Sequence, residues 1–241
     1  MSVYSKIMIA AMAVMCTASA SAQDEPPLGS RLGTRLRPGF VLAPAEATRA
    51  LQNMASCLVD RNPNHVSEYL LSLDPKASRK GFMKDEVDCL GLFVGTPEHA
   101  MSDTRRLSFT DDALRGMLSE ALLRKSMPRV AALTPLPRQQ AYARPWFAVS
   151  TRNIVVDEMA ACVADVAPTD VASLIRSEPY SSSEGVAFGK LGAQFGPCLR
   201  VNAKLQANRQ ALRAALAEAL FQRTYAPAPV VAASAPVQPP R

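Results

Sequence analysis

The feature that most constrains this chain is an internal duplication. Met54-Ala55-Ser56-Cys57-Leu58-Val59-Asp60 is echoed by Met159-Ala160-Ala161-Cys162-Val163-Ala164-Asp165, and Pro63 and Pro168 each follow three residues after the aspartate. Val66 and Val171 then open short apolar stretches. Ser72-Leu73-Asp74-Pro75 matches Ser177-Glu178-Pro179 with one residue fewer, and Cys89-Leu90 matches Cys198-Leu199. Leu114-Arg115-Gly116-Met117-Leu118-Ser119-Glu120-Ala121-Leu122 pairs with Leu212-Arg213-Ala214-Ala215-Leu216-Ala217-Glu218-Ala219-Leu220. The matches keep one order. A repeat of about 80 residues is domain-sized, longer than the common solenoid units.

Apolar spacing assigns the units to helices. Leu114, Met117, Leu118, Ala121 and Leu122 recur at i, i+3, i+4, i+7 and i+8, as do Leu212, Ala215, Leu216, Ala219 and Leu220. That is one face of an α-helix. Thr110 and Asn208 stand just upstream as N-caps. Ala47, Ala50, Leu51, Met54 and Leu58 form a similar stripe behind Pro44, and Val155, Val156, Met159, Cys162 and Val163 repeat it. Pro63 and Pro168 are expected to end these helices, with Asn64 or Thr169 capping a short second one. A third helix leads into the second cysteine of each copy. The expected fold is therefore all-α, two tandem copies of a small, four-helix, disulfide-stapled unit, spanning residues 44–125 and 149–225. Between them, residues 126–148 read as a Pro-rich linker that packs through Trp146.

The N-terminus assigns the compartment. Lys6, the apolar run Ile7 to Cys16 and the small residues ending at Ala22 form a secretory signal peptide over residues 1–22. The run is too short for a spanning helix, and no small residue stands just before Cys16, so neither an anchor nor lipidation is expected. The mature chain is expected to be periplasmic or secreted. It begins with a flexible segment, residues 23–43, and ends in a disordered Ala/Pro tail, residues 226–241. Cys57, Cys89, Cys162 and Cys198 remain after cleavage. An oxidising compartment favours disulfides, and the repeat favours pairing within copies, Cys57 to Cys89 and Cys162 to Cys198. Each closure would stabilise its unit by about 3–4 kcal/mol. No C-x-x-C knuckle supports zinc or redox chemistry.

Reactive constellations are scarce. Gly185-Val186-Ala187-Phe188-Gly189-Lys190-Leu191 has three residues between its glycines and a leucine after the lysine, so it does not make a phosphate loop. Gly185, Gly189, Gly192 and Gly196 instead recur at helical spacing, and the expectation is a helix that a second helix approaches closely. Ser181-Ser182-Ser183 reads as a polar loop. His65 and His99 lack partners at catalytic or metal-binding spacing. Asp60 and Asp165, Glu120 and Glu218, and Arg115 and Arg213 recur in both copies and read as ion pairs or helix-end contacts, the other reading being acid–base carboxylate pairs.

The chain carries a formal net charge of +6. Arg124, Lys125, Arg129, Arg138, Arg144 and Arg152 run without an intervening acidic residue and are candidates for a surface meeting an anionic envelope component. Arg200, Lys204, Arg209, Arg213 and Arg223 continue the excess. Nucleic acid is not expected, since no recognised motif accompanies the charge. What the copies share is cysteines, apolar positions, caps and prolines, which build a fold. The expected function is a noncatalytic, exported interaction or binding module needing no cofactor, with a protein or an anionic envelope component as partner. The alternative is a cell-envelope hydrolase with its site between the two units.

Overall fold

The structure, a computed structural model, describes residues 44–82, 84–86, 88–89 and 109–226. The signal peptide, the segment 23–43, His99 and all of the tail but Ala226 lie outside these residues. The described chain is all-helical. It comprises α1 (Pro44–Arg61), α2 (Pro63–Leu71), α3 (Pro75–Arg79), α4 (Asp111–Lys125), α5 (Met127–Ala131), a 3-10 turn (Pro145–Val149), α6 (Ile154–Val166), α7 (Pro168–Arg176), α8 (Ser182–Cys198) and α9 (Arg209–Tyr225). Residues 84–86 and 88–89 are also helical.

Caps explain most of the starts. Thr110 Oγ1 accepts from Ala113 N and Asn208 Oδ1 from Ala211 N, opening α4 and α9. Asn153 and Ser181 cap α6 and α8 in the same way, so Ser181-Ser182-Ser183 begins a helix where a loop was expected. Pro63 and Pro168 open α2 and α7 rather than closing the helices before them. Proline needs no N–H at the first helical position, and its fixed φ suits the turn. The capping positions are thus Asn62 and Ala167, not Asn64 and Thr169.

The helices stack in the order α1, α4, α9, α6, and these three contacts are the most extensive in the molecule. The apolar stripes meet there. Met54, Leu58, Leu118, Leu123, Met159, Val163, Leu216 and Leu220 have essentially no exposed surface. Burying a side chain of this kind contributes about 1.5–3 kcal/mol before chain entropy is counted. Disulfides join Cys57 to Cys89 and Cys162 to Cys198, across sequence separations of 32 and 36. The second ties the end of α8 to the middle of α6.

Residues 126–148 lie against this core. Val130, Tyr142 and Trp146 are buried. Leu136 N donates to Asp165 O, 2.8 Å, and Arg138 donates to Pro197 O, 2.6 Å. The prolines break helix here without freeing the segment from the body.

Candidate interaction surface

The recurring charged residues sit at the α4–α9 crossing. Arg115 pairs with Glu218 at 2.6 Å and Arg213 with Glu120 at 2.7 Å, each across the two helices. None of the four exceeds 4 % exposure. Arg115 also donates to the carbonyls of Tyr69 and Leu70 at the end of α2. Arg213 does the same for Ile175 and Ser177 at the end of α7. Each guanidinium thereby closes the orphan carbonyls of a neighbouring helix. Gly116 faces Ala214 at the same crossing, where an added Cβ would lie 2.6 Å from Ala214 Cα. The spacing of these residues marked them as ion pairs, but only the fold shows that each bond runs to the matched residue of the other segment.

Further charges extend the two pairs. Glu218 also accepts from Arg152, which holds Asp157 at 2.7 Å. Burial pushes the Asp157 carboxyl up, with Arg152 opposing it. Around Glu120, Arg124 and Gln52 donate to the same oxygen, while Glu184 takes the far side of Arg213 at 3.0 Å. Burial works against the Arg213 charge, yet Glu120 and Glu184 raise its pKa above the ordinary arginine value. These carboxylates are saturated with arginine donors inside the core, which suits orientation of helices better than proton transfer to a substrate. Asp60 and Asp165 do not play matching parts. Asp60 is exposed and pairs with Lys125, whereas Asp165 is buried between Arg144 and Arg223.

Each of the six basic residues from Arg124 to Arg152 has a partner among the described residues. Arg124 binds Glu120, Glu178 and Ser177 O. Lys125 meets Asp60, and Arg129 lies over the Tyr225 ring at 4.9 Å. Arg138 caps Pro197 O, Arg144 pairs with Asp165, and the Arg152 side chain is only 7 % exposed. Lys125, Arg129 and Arg138 are exposed while making these contacts. His65 is exposed on α2.

The strongest outward feature is α8. The glycine row forms a helix, but among the described residues nothing packs against it: a Cβ at Gly185, Gly189, Gly192 or Gly196 would meet no heavy atom within 4 Å. Among the described residues no second helix approaches the glycine row, and α8 packs on α6 and α7 through its opposite face, with Glu184, Ala187, Leu191 and Cys198 buried. Val186 is 62 % exposed on the glycine side. The glycine spacing was legible in the sequence; the face it would occupy was not.

A concavity of about 560 Å³ lies between the N-terminal ends of α6 and α9, bordered by Arg152, Asn153, Val156, Ala207 and Asn208. Both helices belong to the second half of the chain, so this hollow is not a cleft between the two matched segments. Among the described residues no cluster of His, Cys, Asp and Glu could hold a metal ion, and no helix is long and apolar enough to cross a membrane. No protein-family model matches the chain, and neither a curated protein nor a solved structure matches it.

Proposed function

We propose that this protein is an exported, noncatalytic interaction module made of two copies of one helical unit, residues 44–125 and 149–225, packed reciprocally through α4 and α9. The crossed pairs Arg115–Glu218 and Arg213–Glu120 support the two-copy reading, since a self-complementary interface puts residue i against j and j against i. Two disulfides fit an oxidising compartment.

The observation that carries the interaction reading is the open glycine face of α8. A glycine inside a helix costs about 1 kcal/mol relative to alanine. Among the described residues, four such positions meet no heavy atom within 4 Å of an added Cβ, so the described packing gains nothing from them. A surface kept free of side chains serves something outside the fold. The matching test is a cross-linking pull-down of the tagged full-length chain from intact cells at low and high salt. The proposal expects a discrete partner that survives high salt and is lost from a Gly189→Leu variant. Recovery of no partner at either salt would contradict it and direct attention to hydrolase activity.

A further inference from the structure

We infer that residues 31–43, just ahead of α1, strap the first unit as residues 138–152 strap the second, an inference that rests on the two-copy reading. The sequence match extends upstream of the helices. Arg31, Arg37, Pro38 and Phe40 recur at the same spacing as Arg138, Arg144, Pro145 and Phe147. The shared phenylalanine stands 17 residues before Cys57 in one copy and 15 before Cys162 in the other, so the motif keeps its place in the repeat. One position departs: Gly39 replaces Trp146, which leaves Phe40 as the ring of the first motif.

The second strap is held at three points, and the first unit presents each matching point with a partner missing. Arg138 donates to Pro197 O, beside Cys198, at 2.6 Å. The residue before the matched Cys89 is Asp88, whose side chain is 49 % exposed and meets Arg61 at 3.3 Å. Arg144 and Arg223 both bind Asp165, leaving its side chain 7 % exposed. At the matched positions Lys125 binds Asp60 as Arg223 binds Asp165. Asp60 has no second cation among the described residues and is 64 % exposed. At its far end the strap gives Ser150 Oγ and Thr151 N to Asp112 of α4. The match of Asp112 on α9 is Gln210, whose Nε2 is buried with no hydrogen-bond partner among the described residues. An unmade buried donor is costly, and a carbonyl of residues 41–43 would satisfy it.

Charge and reach select the occupant. Residues 31–43 carry Arg31, Arg35 and Arg37 and no acidic residue, which complements exposed Asp60 and Asp88. Asp60 stands 16 residues beyond Pro44 in α1, a rise of about 24 Å. The seven residues from Arg37 to Pro44 extend to about 23–25 Å. The chain ahead of α1 can therefore fold back along the helix and bring Arg37 to Asp60, as Arg144 comes to Asp165.

The test is limited trypsin digestion of the exported chain, with the cut after Arg35 followed by mass spectrometry. A docked strap resists this cut, since cleavage tracks the population of the open form. Asp60→Arg, an exposed change checked for folding by circular dichroism, should speed the cut by about tenfold or more. Arg37→Asp should do the same, and the reversed pair Arg37→Asp/Asp60→Arg should restore most of the protection. A reversed pair no better protected than either single variant would overturn the inference and give this face to another segment, such as residues 90–108. Protection that rises with protein concentration would overturn it in favour of a strap supplied by a second copy. Failure here with recovery of stability in the Gly116→Ala/Ala214→Gly exchange would leave the two-copy reading standing without its first strap.

Discussion

Arg115 and Glu218 are 103 residues apart in the chain and form a 2.6 Å ion pair with neither side chain more than 1 % exposed. Arg213 and Glu120, their counterparts in the sequence match, repeat the bond in the opposite sense at 2.7 Å. Desolvating four charges is costly, and such a cluster stabilises only when its geometry and remaining hydrogen bonds are complete. Here the leftover donors reach the ends of α2 and α7, so the crossing sets the positions of four helices together.

Arg115→Met should therefore lower the free energy of unfolding by about 3–5 kcal/mol, read by urea denaturation. It strands the carbonyl of Tyr69 and one side of Glu218, and leaves Leu70 O with Gln222 as its remaining side-chain donor. An unchanged midpoint would show that the pair does not hold the crossing.

Ser119 should be replaceable with profit. Its Oγ is buried in α4 without a hydrogen-bond partner among the described residues, and the matched position is Ala217, which has no polar side-chain atom to satisfy. Ser119→Ala is expected to raise stability by about 1 kcal/mol; a loss of that size would mean the hydroxyl has a partner.

Gly189→Ala should also stabilise the fold, by about 0.5–1 kcal/mol. The added methyl enters open space and lowers the entropy of the unfolded chain. Destabilisation in urea melts would mean that this face of α8 is covered in the folded protein.

Asp165 gives a pH dependence with a definite sign. Burial raises its carboxyl pKa, with Arg144 and Arg223 pulling the other way and the net shift upward. The folded state then binds the proton more tightly than the unfolded chain. Its contribution is fully present below the unfolded value of about 3.8 and is lost as pH rises through the higher folded value. The stability of Asp165→Asn relative to the parent should accordingly improve between pH 3 and pH 7 (roughly the span around a carboxylate titration). A relative stability that worsens over this range would reverse the assigned shift.

Local features of the sequence carried over best. The stripes of α4 and α9, their caps Thr110 and Asn208, and the disulfide pairing all depend on residues near one another in the repeat. The starts of α2 and α7 were misplaced because a proline that cannot continue one helix can begin the next. For the basic run from Arg124 to Arg152, Glu120 stands one helical turn before Arg124, but the partners Asp165 and Glu218 were not legible because they lie elsewhere in the chain. Periodicity likewise gave the helix of α8 but not its outward orientation, which follows from Leu191 and Cys198 facing α6 and α7.

The central claim, that two copies of one unit pack reciprocally, is tested most directly at Gly116 and Ala214. Gly116→Ala alone should cost about 3 kcal/mol, because its Cβ would lie 2.6 Å from Ala214 Cα. If the two positions are equivalent across the crossing, exchanging them by Gly116→Ala/Ala214→Gly rebuilds the same contact with the copies reversed, and helix propensity summed over α4 and α9 is unchanged. Urea denaturation should then show the exchanged variant recovering more than half of the loss. A double variant no more stable than Gly116→Ala would contradict the reciprocal packing.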